Sequence, residues 1–218
     1  MSAWGVDMSR LVSIFRLIVL PLLAAVTLGL AAPAASAAPA PTKIDADLTA
    51  LWTTVLQTPS AQNSFGTGGA AYACWNIGSG TVAPFAPFVT SVPSCTVKPG
   101  TKIFVTASSV ECSTFEGNGT TDAELRACAE AGDATTASVT VDGHSVPVTE
   151  VETRLMNIVL PADNLFGLST GTTGLSVGHG WVAHLNPLTP GTHTIVGSGK
   201  LSSDEFSFTT KIIVQPGS

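Results

Sequence analysis

From Leu17 to Leu30 the chain is almost continuously apolar, and beyond that point apolar runs last only a few residues. After it, helical spacing appears twice. Leu48, Leu51, Trp52, Val55 and Leu56 recur along one face of Asp45–Gln57, with Asp45 and Asp47 near the positive end of the helix dipole and Pro59 as the stop. Thr121 and Glu124 form a capping-box pattern ahead of Leu125–Ala131, and Gly132 is placed to end that helix.

The rest carries strand patterning. Thr101–Ala107 is a nearly unbroken apolar run, suited to a buried strand. Phe206, Phe208, Thr210, Ile212 and Val214 alternate with Glu205, Ser207, Thr209 and Lys211, as in a half-buried strand. Val82–Val89 alternates too, but Pro84 and Pro87 assign it to an edge or irregular strand. Asp142-Gly143 is a type I′ turn signal that pairs Val141 with His144, Val139 with Val146 and Ala137 with Val148. Pro147 then makes His144–Thr149 a sheet edge. Short strands, Gly/Pro turns and two short helices predict a mainly β chain: a single β-sandwich or jelly-roll-like domain.

Charge alters this picture little but excludes two classes. Only 11% of the 218 residues are charged and the net charge is −6, which argues against a nucleic-acid binder. Mean hydropathy is +0.39, much of it from the N-terminal run, which is shorter than the roughly 20 residues of a spanning helix. Residues 1–37 have the layout of a secretory signal: Arg10 and Arg16, the apolar core, then Ala35-Ser36-Ala37 as an A-x-A cleavage site. Met8 is an alternative start to Met1 that places the arginines nearer the N-terminus. Residues 38–44 are expected to be a flexible leader and 45–218 the secreted domain. The part after Ala37 has 7 Lys plus Arg against 14 Asp plus Glu, a net charge of −7. The first cysteine is Cys74, far from the cleavage site, so release without a stable membrane anchor is expected.

Cys74, Cys95, Cys112 and Cys128 are an even set in an exported chain, without C-x-x-C or zinc spacing. Of three pairings, Cys74–Cys95 with Cys112–Cys128 closes the most local loops and is the one expected. Their role is structural, since nothing beside them lowers a thiol pKa.

The candidate chemistry is sparse. A hairpin pairing Leu185 with Thr192 would set His184 opposite His193, the start of a metal site, although sequence supplies no third ligand and backbone-bonded histidines are commoner. Glu111, Glu116, Glu150 and Asp163 are carboxylates from which a glycosidase pair could be drawn, though loop charges are usually solvated. There is no G-x-S-x-G elbow, and Gly171–Gly180 lacks the Lys of a phosphate loop. Trp52, Trp75 and Trp181 would stack on sugars if exposed, but core filling is the commoner role. No cofactor is expected.

Ala73-Cys-Trp, Ser94–Val105, Glu111-Cys-Ser-Thr, Glu124–Ala129, Val141-Asp-Gly and Gly180-Trp-Val with Pro187–Ile195 together resemble a group of secreted, β-rich bacterial proteins. The resemblance runs from about Cys74 to Ile195. It implies a β-rich fold and an extracellular location, and brings no active site. The expectation is therefore an extracellular binding or structural module with a glycan or protein ligand, rather than an enzyme. The alternatives are a glycan-directed hydrolase and a metal-dependent activity at His184 and His193.

Overall fold

The computed structural model describes residues 42–202 and 204–217, so the expected signal and residues 38–41 lie outside the described part. Helix α1 (Lys43–Leu56) begins two residues before the expected Asp45. Thr42 is its N-cap, and Thr42 and Asp45 bond each other's backbone N–H groups in a capping box. Helix α2 (Asp122–Gly132) has the capping box expected of Thr121 and Glu124.

The strands are β1 (Cys74–Asn76), β2 (Thr81–Pro84), β3 (Ser94–Val97), β4 (Lys102–Ser113), β5 (Thr136–Val141), β6 (His144–Val146), β7 (Thr149–Glu152), β8 (Met156–Val159), β9 (Thr173–Leu185), β10 (Gly191–Leu201) and β11 (Asp204–Val214). One sheet runs β1-β2-β4-β9-β7, with β8 also on β9, and the other runs β3-β11-β10-β5-β6. The domain is a β-sandwich carrying two helices and two disulfides.

Side-chain parity explains how the layers pack. On β4, Ile103, Val105 and Ala107 enter the core between the sheets with Ala183, Ile195 and Ile212, while Phe104 turns the other way, toward α1. A bulge between Thr106 and Ser108 shifts the register against β9 and twists the long pair. Beyond it, Cys112 and Val177 pack against Leu125 and Ala129 of α2. Gly174, Ser176, Gly178 and Gly180 alternate along one face of β9, which meets Trp52 of α1 at Gly178. A Cβ on Gly178 would lie 2.5 Å from Cδ1 of Trp52, so this strand carries glycine where the edge of an aromatic ring comes down on it. On β11, the rings of Phe206 and Phe208 likewise cover Gly199 and Gly197.

The disulfides are the expected ones. Cys74–Cys95 joins edge strand β1 of one sheet to edge strand β3 of the other, and Cys112–Cys128 ties β4 to α2. The hairpin forms in the expected register at Val141, Thr140 and Val139, with Asp142 and Gly143 at φ 50° and 81°. It stops at Val146, however. The expected pair of Ala137 with Val148 is absent, and Thr149 starts β7 in the other sheet. Proline lacks the N–H to continue a ladder, and the chain uses the break to change sheets. The Val82–Val89 reading also changes: β2 ends at Pro84 and lies between β1 and β4 rather than at an edge.

Candidate functional site

His184 and His193 are not cross-strand neighbours. β9 pairs with β4, β7 and β8, and β10 pairs with β11 and β5, so the two histidines stand in different sheets. The segment Asn186–Pro190, with prolines at 187 and 190, crosses between the sheets instead of closing a hairpin. Each imidazole has its own aspartate. His184 Nε2 lies 2.7 Å from Oδ2 of Asp47 on α1, which also meets Lys43. His193 contacts Asp142 Oδ2 through Nδ1 at 2.7 Å and the Thr189 carbonyl through Nε2 at 2.8 Å. With acceptors on both ring nitrogens the imidazolium form is favoured, and the Asp142 hydrogen bond raises the His193 pKa above the usual value. Among the described residues, no three His, Cys, Asp or Glu side chains converge as metal ligands.

The third such pair, buried, was not legible in the sequence. His179 Nδ1 lies 2.8 Å from Oδ2 of Asp133, the C-cap residue of α2. Oδ1 of Asp133 accepts from the Ser108 hydroxyl and from the Ala134 N–H. Glu150 stands 3.6 Å from Nε2. The Asp133 hydrogen bond raises the His179 pKa, with burial opposing it. Ser108 donates to the aspartate and not to the imidazole, so this set lacks the serine–histidine contact of a hydrolase triad. Its evident work is to pin the end of α2 to β9. Arg126 supports it by bridging Asp122, Glu152 and the Thr153 carbonyl.

Two of the four carboxylates influence each other's charge. Glu111, half-buried on β4, accepts a 2.5 Å hydrogen bond from Ser176 on β9, and the negative charge of Glu116 acts on it. Burial pushes the Glu111 pKa up to about 8, with Ser176 opposing and the Glu116 charge adding to the rise. Lost hydration also raises Glu116, whose carboxyl reaches Ser113. Glu150 instead faces His179, and Asp163 accepts from the Ala61 N–H.

The tryptophans serve the interior. Trp52 and Trp75 are each 5% exposed, and half-buried Trp181 donates to the Ala134 carbonyl. Among the described residues the two most exposed large apolar side chains, ahead of Val159, Tyr72 and Leu168, are elsewhere, on the loop from Phe85 to Pro93. Its base is fixed: the Phe85 carbonyl accepts from Trp75 Nε1 and Ser64 Oγ, both at 2.8 Å, and the Pro93 carbonyl accepts from the Lys211 N–H. Phe65 contacts both Phe85 and Phe88 edge-on. At the tip Phe88 is 76% and Val92 53% exposed. A groove of about 270 Å³ separates the loop from Ser207–Thr210 of β11. Pro84 and Pro87, each directly before a phenylalanine, were the available signal, read as strand interruption rather than as a presented loop.

No family model matches the chain, and no curated protein matches it. Among solved structures it is similar to the solution structure of Amebosin, at 15% identity over 56% of this chain and 89% of that one, TM-score 0.22. It is also similar to a cysteine protease inhibitor from Entamoeba histolytica, at 12% identity over 56% and 86%, TM-score 0.20. At these scores neither likeness bears on what this chain does.

Proposed function

We propose that the chain is a secreted, non-catalytic binding module whose ligand is a protein, engaged through the Phe85–Pro93 loop. The observation that carries this reading is a loop fixed at its base and apolar at its tip, with Phe88 the most exposed of the large hydrophobic side chains. Rigid presentation lowers the ordering cost of binding, and exposed aromatic anchors are what interfaces use. The stretch from Pro84 to Val97 carries no charge, which suits an apolar cleft on the partner rather than a phosphate or an acidic ligand. A sugar platform is less well supported, because Trp52 and Trp75 present no open ring face. The signal-like N-terminus and the two disulfides support an extracellular setting.

The test is a crosslinking capture. A photo-crosslinking amino acid replaces Val92 in the secreted protein, the trapped protein is identified by mass spectrometry, and its affinity is measured for the wild type and Phe88→Ser. At least a tenfold loss in Phe88→Ser is expected, about 1.4 kcal/mol. Unchanged affinity, or crosslinks to glycan alone, overturns the reading.

A further inference from the structure

We infer that β11 has an open strand edge beside the Phe85–Pro93 loop, and that the partner docks there by adding an extended, alternately apolar segment of its own chain next to Glu205–Thr209. Resting on the binding reading above, this gives the protein ligand its form.

The direction of the backbone groups on β11 follows from its two neighbours. β10 pairs with it from Asp204 to Val214 without a break in register. β3, on the other side, pairs only with Lys211–Val214. There the Lys211 N–H donates to the Pro93 carbonyl and the Gln215 N–H to the Val97 carbonyl. Odd-numbered residues of β11 therefore turn their N–H and C=O groups toward the β3 side, and even-numbered ones turn theirs toward β10. β10 agrees: its carbonyls at Thr194 and Lys200 accept from Asp142 and Thr135 on the β5 side, which leaves its odd-numbered residues for β11. Before Lys211, the same outward groups belong to Glu205, Ser207 and Thr209. Among the described residues these backbone groups find no hydrogen-bond partner.

The reason β3 reaches no further is a proline. Extending its parallel register makes residue 93 the donor to the Thr209 carbonyl, and residue 93 is Pro93. Without an N–H the ladder ends there. A groove of about 270 Å³ is left between β11 and the loop.

Its walls select the occupant. Free donors and acceptors at every second residue match the backbone of another strand, and β3 already occupies the same edge further along in that way. Val89 and Val92 of the loop and Phe208 of β11 line the groove, so apolar side chains fit at alternate positions of the incoming segment. The Phe206 and Phe208 rings lean over Gly199 and Gly197 of β10, away from the edge, and leave it uncovered. A second copy of this chain fits poorly, because its β11 would arrive with its own loop alongside.

The probe is a displayed library of random peptides of about nine residues, enough to span the open stretch at about 3.3 Å per residue, selected on the full secreted protein. The strongest binder is synthesised. It is expected to slow exchange of the Ser207 and Thr209 amides at least about tenfold and to leave those of Phe206 and Phe208, already bonded to β10, unchanged. Methylating its backbone nitrogens at alternate residues should abolish binding in one phase and spare it in the other, since an added strand turns only every second N–H to the edge. Ser207→Pro removes an outward N–H and should weaken binding at least about tenfold. Unprotected amides, or equal loss from both methylated phases, overturn the added strand. So does the absence of any selected peptide, or a dimer that pairs two β11 edges. Where Ser207→Pro does not fold, the methylated phases decide. Phe88→Ser separates the edge from the loop. Affinity lost there but kept in Ser207→Pro retains the loop and overturns the strand; the reverse retains the strand and overturns Phe88 as the anchor.

Discussion

Trp52 of α1 rests its indole edge on Gly178 of β9, in the space a Cβ would need, and its Nε1 donates to Ser109 on the neighbouring strand. The helix is thereby fixed to two strands by one side chain. Gly178→Ala is expected to push the ring outward and cost about 1–3 kcal/mol, the usual penalty for overpacking a core. Urea denaturation of wild type and variant measures it. A difference under about 0.5 kcal/mol, typical of an open site, would show that the contact relaxes freely.

The Asp133–His179 pair predicts a pH dependence. The folded pKa of His179 is raised above 6.5, so the folded state holds a proton the unfolded state releases. Its contribution is full below about pH 6.5 and is lost as pH rises through the folded value. His179→Gln should remove that part of the stability–pH profile, seen in the difference between the two curves. Identical slopes would place the titration elsewhere.

Asp133 itself accepts three hydrogen bonds, from Ser108, Ala134 and His179, in a nearly closed site. Replacing it with Ala leaves donors buried without partners and should cost about 3 kcal/mol. Loss of α2 amide protection ahead of global unfolding would identify the helix end as the part released.

The bridge Cys74–Cys95 closes a separation of 21 residues. In the chain-entropy model its removal by a double Ala substitution costs about 3 kcal/mol, read as a lower denaturation midpoint. Phe88→Ser, by contrast, should change stability by less than about 0.5 kcal/mol, since the tip of the loop is open to solvent.

Local signals were legible because their physics is local. Thr121 and Glu124 cap α2 as their spacing indicates, and Asp142-Gly143 sets its own register. The local disulfide pairing was expected from loop closure alone. What could not be read was partnership over long separations. Leu185 and Thr192 are close in sequence, yet two prolines and a change of sheet separate their strands, and His184 and His193 with them. The aspartates that receive the histidines lie 46, 137 and 51 residues away along the chain, so no periodicity could announce them. Similarly, the closeness of Glu111 and Glu116 in sequence was visible, but the serine that bonds Glu111 comes from β9, and the burial that raises its pKa comes from the fold.

Pro147 ends β6 after three residues, at the outer margin of the five-stranded sheet. An incoming strand would find too short a row of backbone donors and acceptors there to dock. The sheet is therefore terminated by its own sequence on that side, a safeguard against fibrillar stacking for a chain so rich in β-forming residues and so poor in charge.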